Sequence, residues 1–234
     1  MAGSERDVVI ELENVAYSYG DGELLADVSV VLAPGSFHFL TGPSGAGKTT
    51  ILNLCTGILS PTSGRARAFG ADFAALDRDD MALIRRRIGI VHQDCRFLDH
   101  LSVAENIALP LTVAGRGREA QHGQDLQELM AWCGLTDRAN ARPPELSGGE
   151  RQRAALARAV IMSPDVILAD EPTGNVDWEM SQRLLTLLVQ LNQMGKTILI
   201  ATHDLNLIRA AKSQIQTRVL RIAGRRLQLA GAAL

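Results

Sequence analysis

Apolar positions along the chain change period several times, and each change predicts an element. Val8 to Val15 sets β-branched residues against charges in partial alternation, as an edge-type strand does. Val28 to Leu32 predicts a second strand. Pro34-Gly35 then turns the chain into Phe37-His38-Phe39-Leu40, short, apolar and aromatic like a buried strand. Thr50 to Cys55 can follow as a helix, and 59–64 is a surface turn. Met81 to Arg87 predicts a short helix with a basic end, and Ile88 to His92 another buried strand.

From Asp94 to Pro144 the pattern turns helical. Ser102-Val103-Ala104-Glu105 has capping-box spacing, Pro110 is expected to bend or break the helix that follows, and Glu119 to Trp132 reads as one helix closed near Gly134. After Leu146-Ser147-Gly148-Gly149-Glu150 an Ala-rich helix stops before Pro164. Val166 to Ala169 is a buried strand, Met180, Leu184, Leu187, Leu188 and Leu191 mark one face of a helix ended by Gly195, and Thr197 to Ala201 is the next strand. A hairpin about Ala223-Gly224-Arg225 ends the pattern. The alternation of strands and helices predicts an α/β fold.

Composition narrows the picture modestly. At 234 residues with 46% hydrophobic and 21% charged positions, the chain can bury one large core with a subdomain. A net charge of −2 argues against direct nucleic-acid binding. No apolar run reaches the length of a membrane span, and the polar opening Met1 to Asp7 lacks a secretion signal. Cys55, Cys95 and Cys133 show no metal-ligand spacing, which predicts free thiols in a reducing, cytosolic compartment.

Candidate chemistry begins at Gly42-Pro43-Ser44-Gly45-Ala46-Gly47-Lys48-Thr49, which fits G-x-x-x-x-G-K-[ST] between a predicted strand and a predicted helix. Glycines let the backbone curl so that its N–H groups face the phosphates, Lys48 adds charge, and the Thr49 hydroxyl suits Mg²⁺. Asp170-Glu171 ends a buried strand with two carboxylates on opposite sides, one able to hold Mg²⁺ and one able to deprotonate water. Ser147-Gly148-Gly149 leaves a hydroxyl and N–H groups open at a helix start, a second anion site. Tyr17 and Tyr19 either stack on a base or close a hairpin, and His203 at a strand exit could bond a γ-phosphate. Arg85-Arg86-Arg87 reads as a solvated helix end complementing its own dipole.

In order, Gly42–Thr49, Gln93, Leu146–Glu150, Asp170-Glu171, Asn175–Asp177 and His203 resemble the motif series of the ATP-binding-cassette ATPases over essentially the whole chain. The resemblance implies a P-loop NTPase (RecA-like) core with an N-terminal antiparallel β subdomain and an inserted α-helical subdomain. It places the core and β subdomain at 1–93 and 163–234, and the helical subdomain with the signature motif at 94–162. It implies ATP and Mg²⁺, with Tyr19 stacking on the base and Gly42, Pro43, Ser44, Gly45, Ala46, Gly47, Lys48, Thr49 and Thr50 forming the phosphate loop. Thr49, Gln93 and Asp170 match metal positions; Glu171 matches the general base, His203 the switch histidine, and Gln93 the glutamine that senses metal and attacking water. Ser147, Gly148 and Gly149 match the signature that meets nucleotide held by a second copy, and Asp177 the aspartate that crosses that interface. Two copies then clamp two ATP.

Phe39–Lys48, Ala108–Leu111, Glu171–Asn175 and Ala201–Ile208 are similar to the bacterial cell-division branch of the family. That implies an integral membrane partner docking near Asp94–Leu101, with Phe97 and Leu98 as anchors, and a place on the cytoplasmic face of the inner membrane. It also implies relay of ATP-driven motion to cell-wall hydrolases. The alternative is the ATPase of a lipoprotein-releasing or macrolide-export complex, whose branches are less similar around Phe39–Thr41 and Asp204–Ile208. His92 and Val176 depart from the branch pattern, where an aromatic and a leucine are usual.

Overall fold

A computed structural model describes residues 8–20, 22–174 and 176–230. The polar opening 1–7, Asp21 and Asn175 of the Asn175–Asp177 stretch lie outside them.

The described strands form two sheets. In the first, β1 (Ile10–Tyr19), β2 (Gly22–Leu32), β4 (Ser63–Ala68) and β5 (Ala71–Asp72) are antiparallel in the order β2-β1-β4-β5. β1 is longer than its alternation predicts and carries both Tyr17 and Tyr19. The reason is Asn14, whose φ of 48° accompanies register shifts against β2 and β4 that break the alternation without ending the strand. β4 has no counterpart in the apolar pattern, because only Ala66 and Ala68 face inward and arginines alternate with them.

The second sheet, in the order β10-β9-β3-β8-β7-β6, builds the site. Its parallel strands are β3 (Phe37–Thr41), β6 (Ile88–Val91), β7 (Val166–Asp170), β8 (Thr197–Ala201) and β9 (Arg218–Ala223); β10 (Arg226–Leu229) returns antiparallel. β3, β7 and β8 are buried along their whole length, which explains their unbroken apolar runs. One face packs α1 (Lys48–Cys55) and the first sheet through Leu40, Leu54, Leu168 and Leu199. The other packs α7 (Trp178–Gln193) and α8 (Leu205–Lys212) through Phe39, Ile167, Ile200, Leu188 and Ile208. Each such buried side chain stabilises the fold by about 2 kcal/mol.

Between β6 and β7 the chain forms α3 (Val103–Val113), α4 (Gly117–His122), α5 (Gln124–Trp132) and α6 (Gly148–Val160). They close on a separate core of Val103, Ile107, Leu111, Leu126, Met130 and Leu135. The Ser102–Glu105 capping box forms, with the Ser102 N–H donating to Glu105 Oε2 at 2.6 Å and the Glu105 N–H to Ser102 Oγ at 3.2 Å. Pro110 does not break α3. It sits in the last turn, where its missing N–H removes one helical bond and Ala114 N still donates to Pro110 O at 3.0 Å. The single helix expected from Glu119 to Trp132 divides at Gly123, whose ψ of 133° is extended. α6 lies close on β6 because Gly89 has no Cβ; one there would stand 2.3 Å from Ala159 O.

The basic triplet also has a structural role. It closes α2 (Arg78–Arg86) and runs into the next strand; Arg85 donates to Thr56 O and Gly57 O, and Arg87 pairs with Asp165 at 2.7 Å beneath the Phe69 ring. Arg85 therefore also caps α1, while the triplet stays exposed at the end of α2 as expected.

Candidate functional site

The C-terminal ends of β3, β6, β7 and β8 converge, and the motifs leave the sheet there. β3 ends at Thr41, and the chain curls through 42–47 into α1. Gly47 is the N-cap with φ 98°, and a Cβ there would stand 3.0 Å from Leu25 Cδ2, so both backbone and neighbour require glycine. The N-terminal N–H groups of α1 therefore open toward the loop rather than toward a side-chain cap.

Gly42, Pro43, Ser44, Gly45, Gly47, Lys48, Thr49, Thr50, Gln93, Asp170, Glu171 and His203 line one open cleft of about 580 Å³. Leu24, from β2, completes the lining. Sequence reasoning missed Leu24, since nothing distinguishes it from its apolar neighbours. Ala46 lies outside the lining and packs instead against the core around α1.

Lys48 Nζ donates to Gly42 O at 3.1 Å and Pro43 O at 3.4 Å, and lies 3.7 Å from Glu171 Oε1. The Thr49 hydroxyl donates to Asp170 Oδ2 at 2.6 Å. Burial holds the Asp170 carboxyl above its usual range; the adjacent Glu171 adds to this, while the Thr49 bond and the Lys48 charge oppose it. Such a carboxylate gains from a cation. A hydroxyl oxygen and a carboxylate oxygen in contact, with the Gln93 side chain in the same lining, suit Mg²⁺, which takes few protein oxygens and fills its remaining positions with water and phosphate.

Glu171 stands in the left-handed region with φ 44°, a strained position for a residue with a Cβ. Two backbone bonds hold it: Glu171 N donates to Ala201 O at 2.8 Å and Gly174 N to Glu171 O at 3.1 Å. The bend brings Glu171 Oε1 to 3.0 Å from His203 Nδ1. A carboxylate oxygen can only accept, so this contact places the proton on Nδ1. Asp204, next along, caps α8 through the N–H groups of Asn206 and Leu207.

The remaining predicted residues lie outside the cleft. Tyr19 is 58% exposed at the end of β1, its ring edge-on to Tyr17 at 4.8 Å. Ser147 caps α6, accepting from Glu150 N at 3.3 Å while its own N–H donates to Glu150 Oε2 at 2.8 Å. Asp177 caps α7 through Met180 N at 2.8 Å. These two helix tips touch: Arg153 on α6 reaches Met180 Sδ at 2.9 Å, and Gly149 faces the Met180 side chain so closely that a Cβ would overlap it. Ser147, Gly148, Gly149 and Asp177 thus share a surface apart from the Lys48 cleft.

The chain is similar to known proteins in sequence and in fold. The family model described as ABC transporter matches residues 25–174. The cell division ATP-binding protein FtsE of Escherichia coli K12 is 42% identical over 205 residues, covering 86% of this chain and 90% of that protein. FtsE of Haemophilus influenzae is 41% identical over 202 residues, covering 86% and 92%. The macrolide export ATP-binding/permease protein MacB of Marinobacter nauticus is 38% identical over 213 residues, covering 89% of this chain and 33% of that longer protein. Among solved structures, a dimeric post-hydrolysis state of the ATP-binding cassette MJ0796 bound to ADP and Pi superposes with a TM-score of 0.83 at 33% identity, covering 94% of this chain and 96% of that one. The two sheets and the helical insertion are therefore the P-loop NTPase core, antiparallel β subdomain and helical subdomain of the ABC ATPase fold. By sequence and by fold, this chain belongs to the ABC transporter family, as one of its ATP-hydrolysing cassettes.

Proposed function

We propose that the chain is the ATPase subunit of a membrane-associated complex of the FtsE type. In it, two copies close around two ATP, and hydrolysis opens them. The observation that carries this reading is the contact of Glu171 with His203 beside the Lys48 turn, while Ser147 and Asp177 lie on a separate surface. One copy then holds the triphosphate, and the α6 tip of the other covers it.

In this reading the loop N–H groups and Lys48 bind the β- and γ-phosphates, and Tyr19 covers the base. Thr49, Asp170 and Gln93 would hold Mg²⁺, which neutralises charge developing on the phosphates. Glu171 takes the proton from the attacking water, and the His203 Nδ1–H keeps that carboxylate aimed. Ser147, with the N–H groups of Gly148 and Gly149, contacts the γ-phosphate held by the other copy, and Asp177 crosses between the two. The dimeric cassettes of 33% and 34% identity support the pairing.

Beside the segment Asp94–Leu101, a groove of about 570 Å³ runs between core and helical subdomain, its lining including Leu109, Pro110 and Val113 as well as Arg85, Arg86 and Arg96. In this reading it receives an integral membrane partner of the FtsX kind, which passes the motion to cell-wall hydrolases. No described helix is long and apolar enough to cross a membrane, so such a partner would provide the attachment at the cytoplasmic face of the inner membrane. The similarity to MacB keeps a transport complex as the second reading.

Replacing Lys48 with alanine tests the core of the proposal. ATP affinity should fall at least about tenfold, since a charged contact to phosphate contributes roughly 1.5–3 kcal/mol. Unchanged affinity, measured by fluorescent-nucleotide displacement, contradicts it.

A further inference from the structure

Far from its tip, helix α6 is bonded to the bend that follows Gln93, a residue of the nucleotide cleft. Beyond Gln93 the chain bends sharply, and two consecutive residues with side chains, Cys95 at φ 57° and Arg96 at φ 40°, occupy the left-handed region. That conformation is unfavourable for any residue with a Cβ and persists only where surrounding structure holds it. Two bonds close the bend from inside: Cys95 N donates to His92 O at 3.1 Å, and Arg96 N to Asp94 O at 2.7 Å. The carbonyls of Cys95 and Arg96 are held from outside by one side chain. Arg158 Nη1 donates to Arg96 O at 2.8 Å and Arg158 Nη2 to Cys95 O. The guanidinium also lies 4.7 Å from the centre of the Phe97 ring. Nearer the α6 tip, Gln152 Nε2 reaches Gln93 O at 3.4 Å.

We propose that Arg158 is a positioning residue for Gln93. Its fork grips two adjacent carbonyls, fixes the left-handed bend, and so sets how far Gln93 reaches into the cleft. Because Arg158 and Ser147 share one rigid helix, the grip also ties the reach of Gln93 to the position of the α6 tip. A lysine cannot substitute, since a single ammonium does not reproduce a planar two-pronged donor. The inference rests on the proposed role of Gln93 in hydrolysis.

The test is steady-state ATP hydrolysis by the full chain carrying Arg158→Ala, Arg158→Lys, Gln93→Ala, Arg158→Ala with Gln93→Ala, and Arg158→Ala with Arg96→Gly. Arg158→Ala should lower kcat about tenfold with KM for ATP within about twofold, the signature of a lost interaction that acts on the chemical step. Arg158→Lys should lower kcat similarly. If Arg158→Ala does not fold, both double variants are built on Arg158→Lys instead, since it keeps the stem. The double variant with Gln93→Ala should be no slower than Gln93→Ala alone. Arg96→Gly, which relieves the left-handed strain, should recover at least about threefold of the loss. Multiplying losses for Arg158 and Gln93, or no recovery from Arg96→Gly, overturns the inference. Undiminished kcat in Gln93→Ala overturns the reading of Gln93, and this inference with it.

Discussion

Glu150 links local helix chemistry to pH. Its carboxylate accepts from Ser147 N at 2.8 Å and from Arg138 Nε at 2.8 Å, and these bonds, the backbone one first, hold its pKa down to about 2 from the ordinary 4.5. With the folded pKa depressed, the added stability is present above pH 4.5 and is lost as the pH falls toward 2. Much of the charge is screened by solvent, so Glu150→Ala should cost about 1 kcal/mol at pH 7. That gap should shrink by pH 3, as read from urea midpoints. An equal gap at both pH values contradicts the assignment. The helix start at Ser147 was legible beforehand in the run Leu146–Glu150, whereas the closing of its hydroxyl and N–H onto Glu150 was not expected of a site read as open. Leu24 and Arg158 were not legible, since their roles depend on the approach of distant segments and leave no mark at fixed spacing.

At the scale of elements, β3 carries a buried titratable group near its start. His38 is 1% exposed and its Nδ1 has no hydrogen-bond partner among the described residues. Burial, aided by the charge of Arg218 on neighbouring β9, lowers its pKa from 6.5 to about 4. Between those values the unfolded chain binds more protons than the folded one. Stability is therefore full above about pH 6.5 and declines as the pH falls toward 4, by on the order of 3 kcal/mol. His38→Leu should flatten that part of the urea-denaturation pH profile. A slope identical to the parent's contradicts a neutral, buried His38. β3, β7 and β8 were readable as strands because burial on both faces leaves unbroken apolar runs. β4 was not, with its small and basic residues, and the divided helix at Gly123 hid behind good helix formers on either side.

At the scale of the whole molecule, the proposed docking segment separates two residues that looked alike in the sequence. Phe97 packs against both the main core and the helical core, with Arg151 and Arg158 over its ring, whereas Leu98 is 41% exposed. Phe97 therefore belongs to the fold and Leu98 to the surface. Leu98→Ser should weaken retention of an FtsX-type partner in detergent pull-downs about tenfold while leaving isolated ATP turnover within about twofold. Equal retention would remove Leu98 from the docking surface. The central claim is that the Lys48 cleft of one copy is completed by the Ser147 tip of another. Its most direct measurement is the mass of Glu171→Gln by light scattering, with and without Mg·ATP. Since that variant keeps the Lys48 turn but lacks the proposed proton acceptor, ATP should convert it to a stable dimer, and Ser147→Arg in the same background should abolish the shift. A Glu171→Gln protein that binds ATP yet remains monomeric at every concentration would contradict the account.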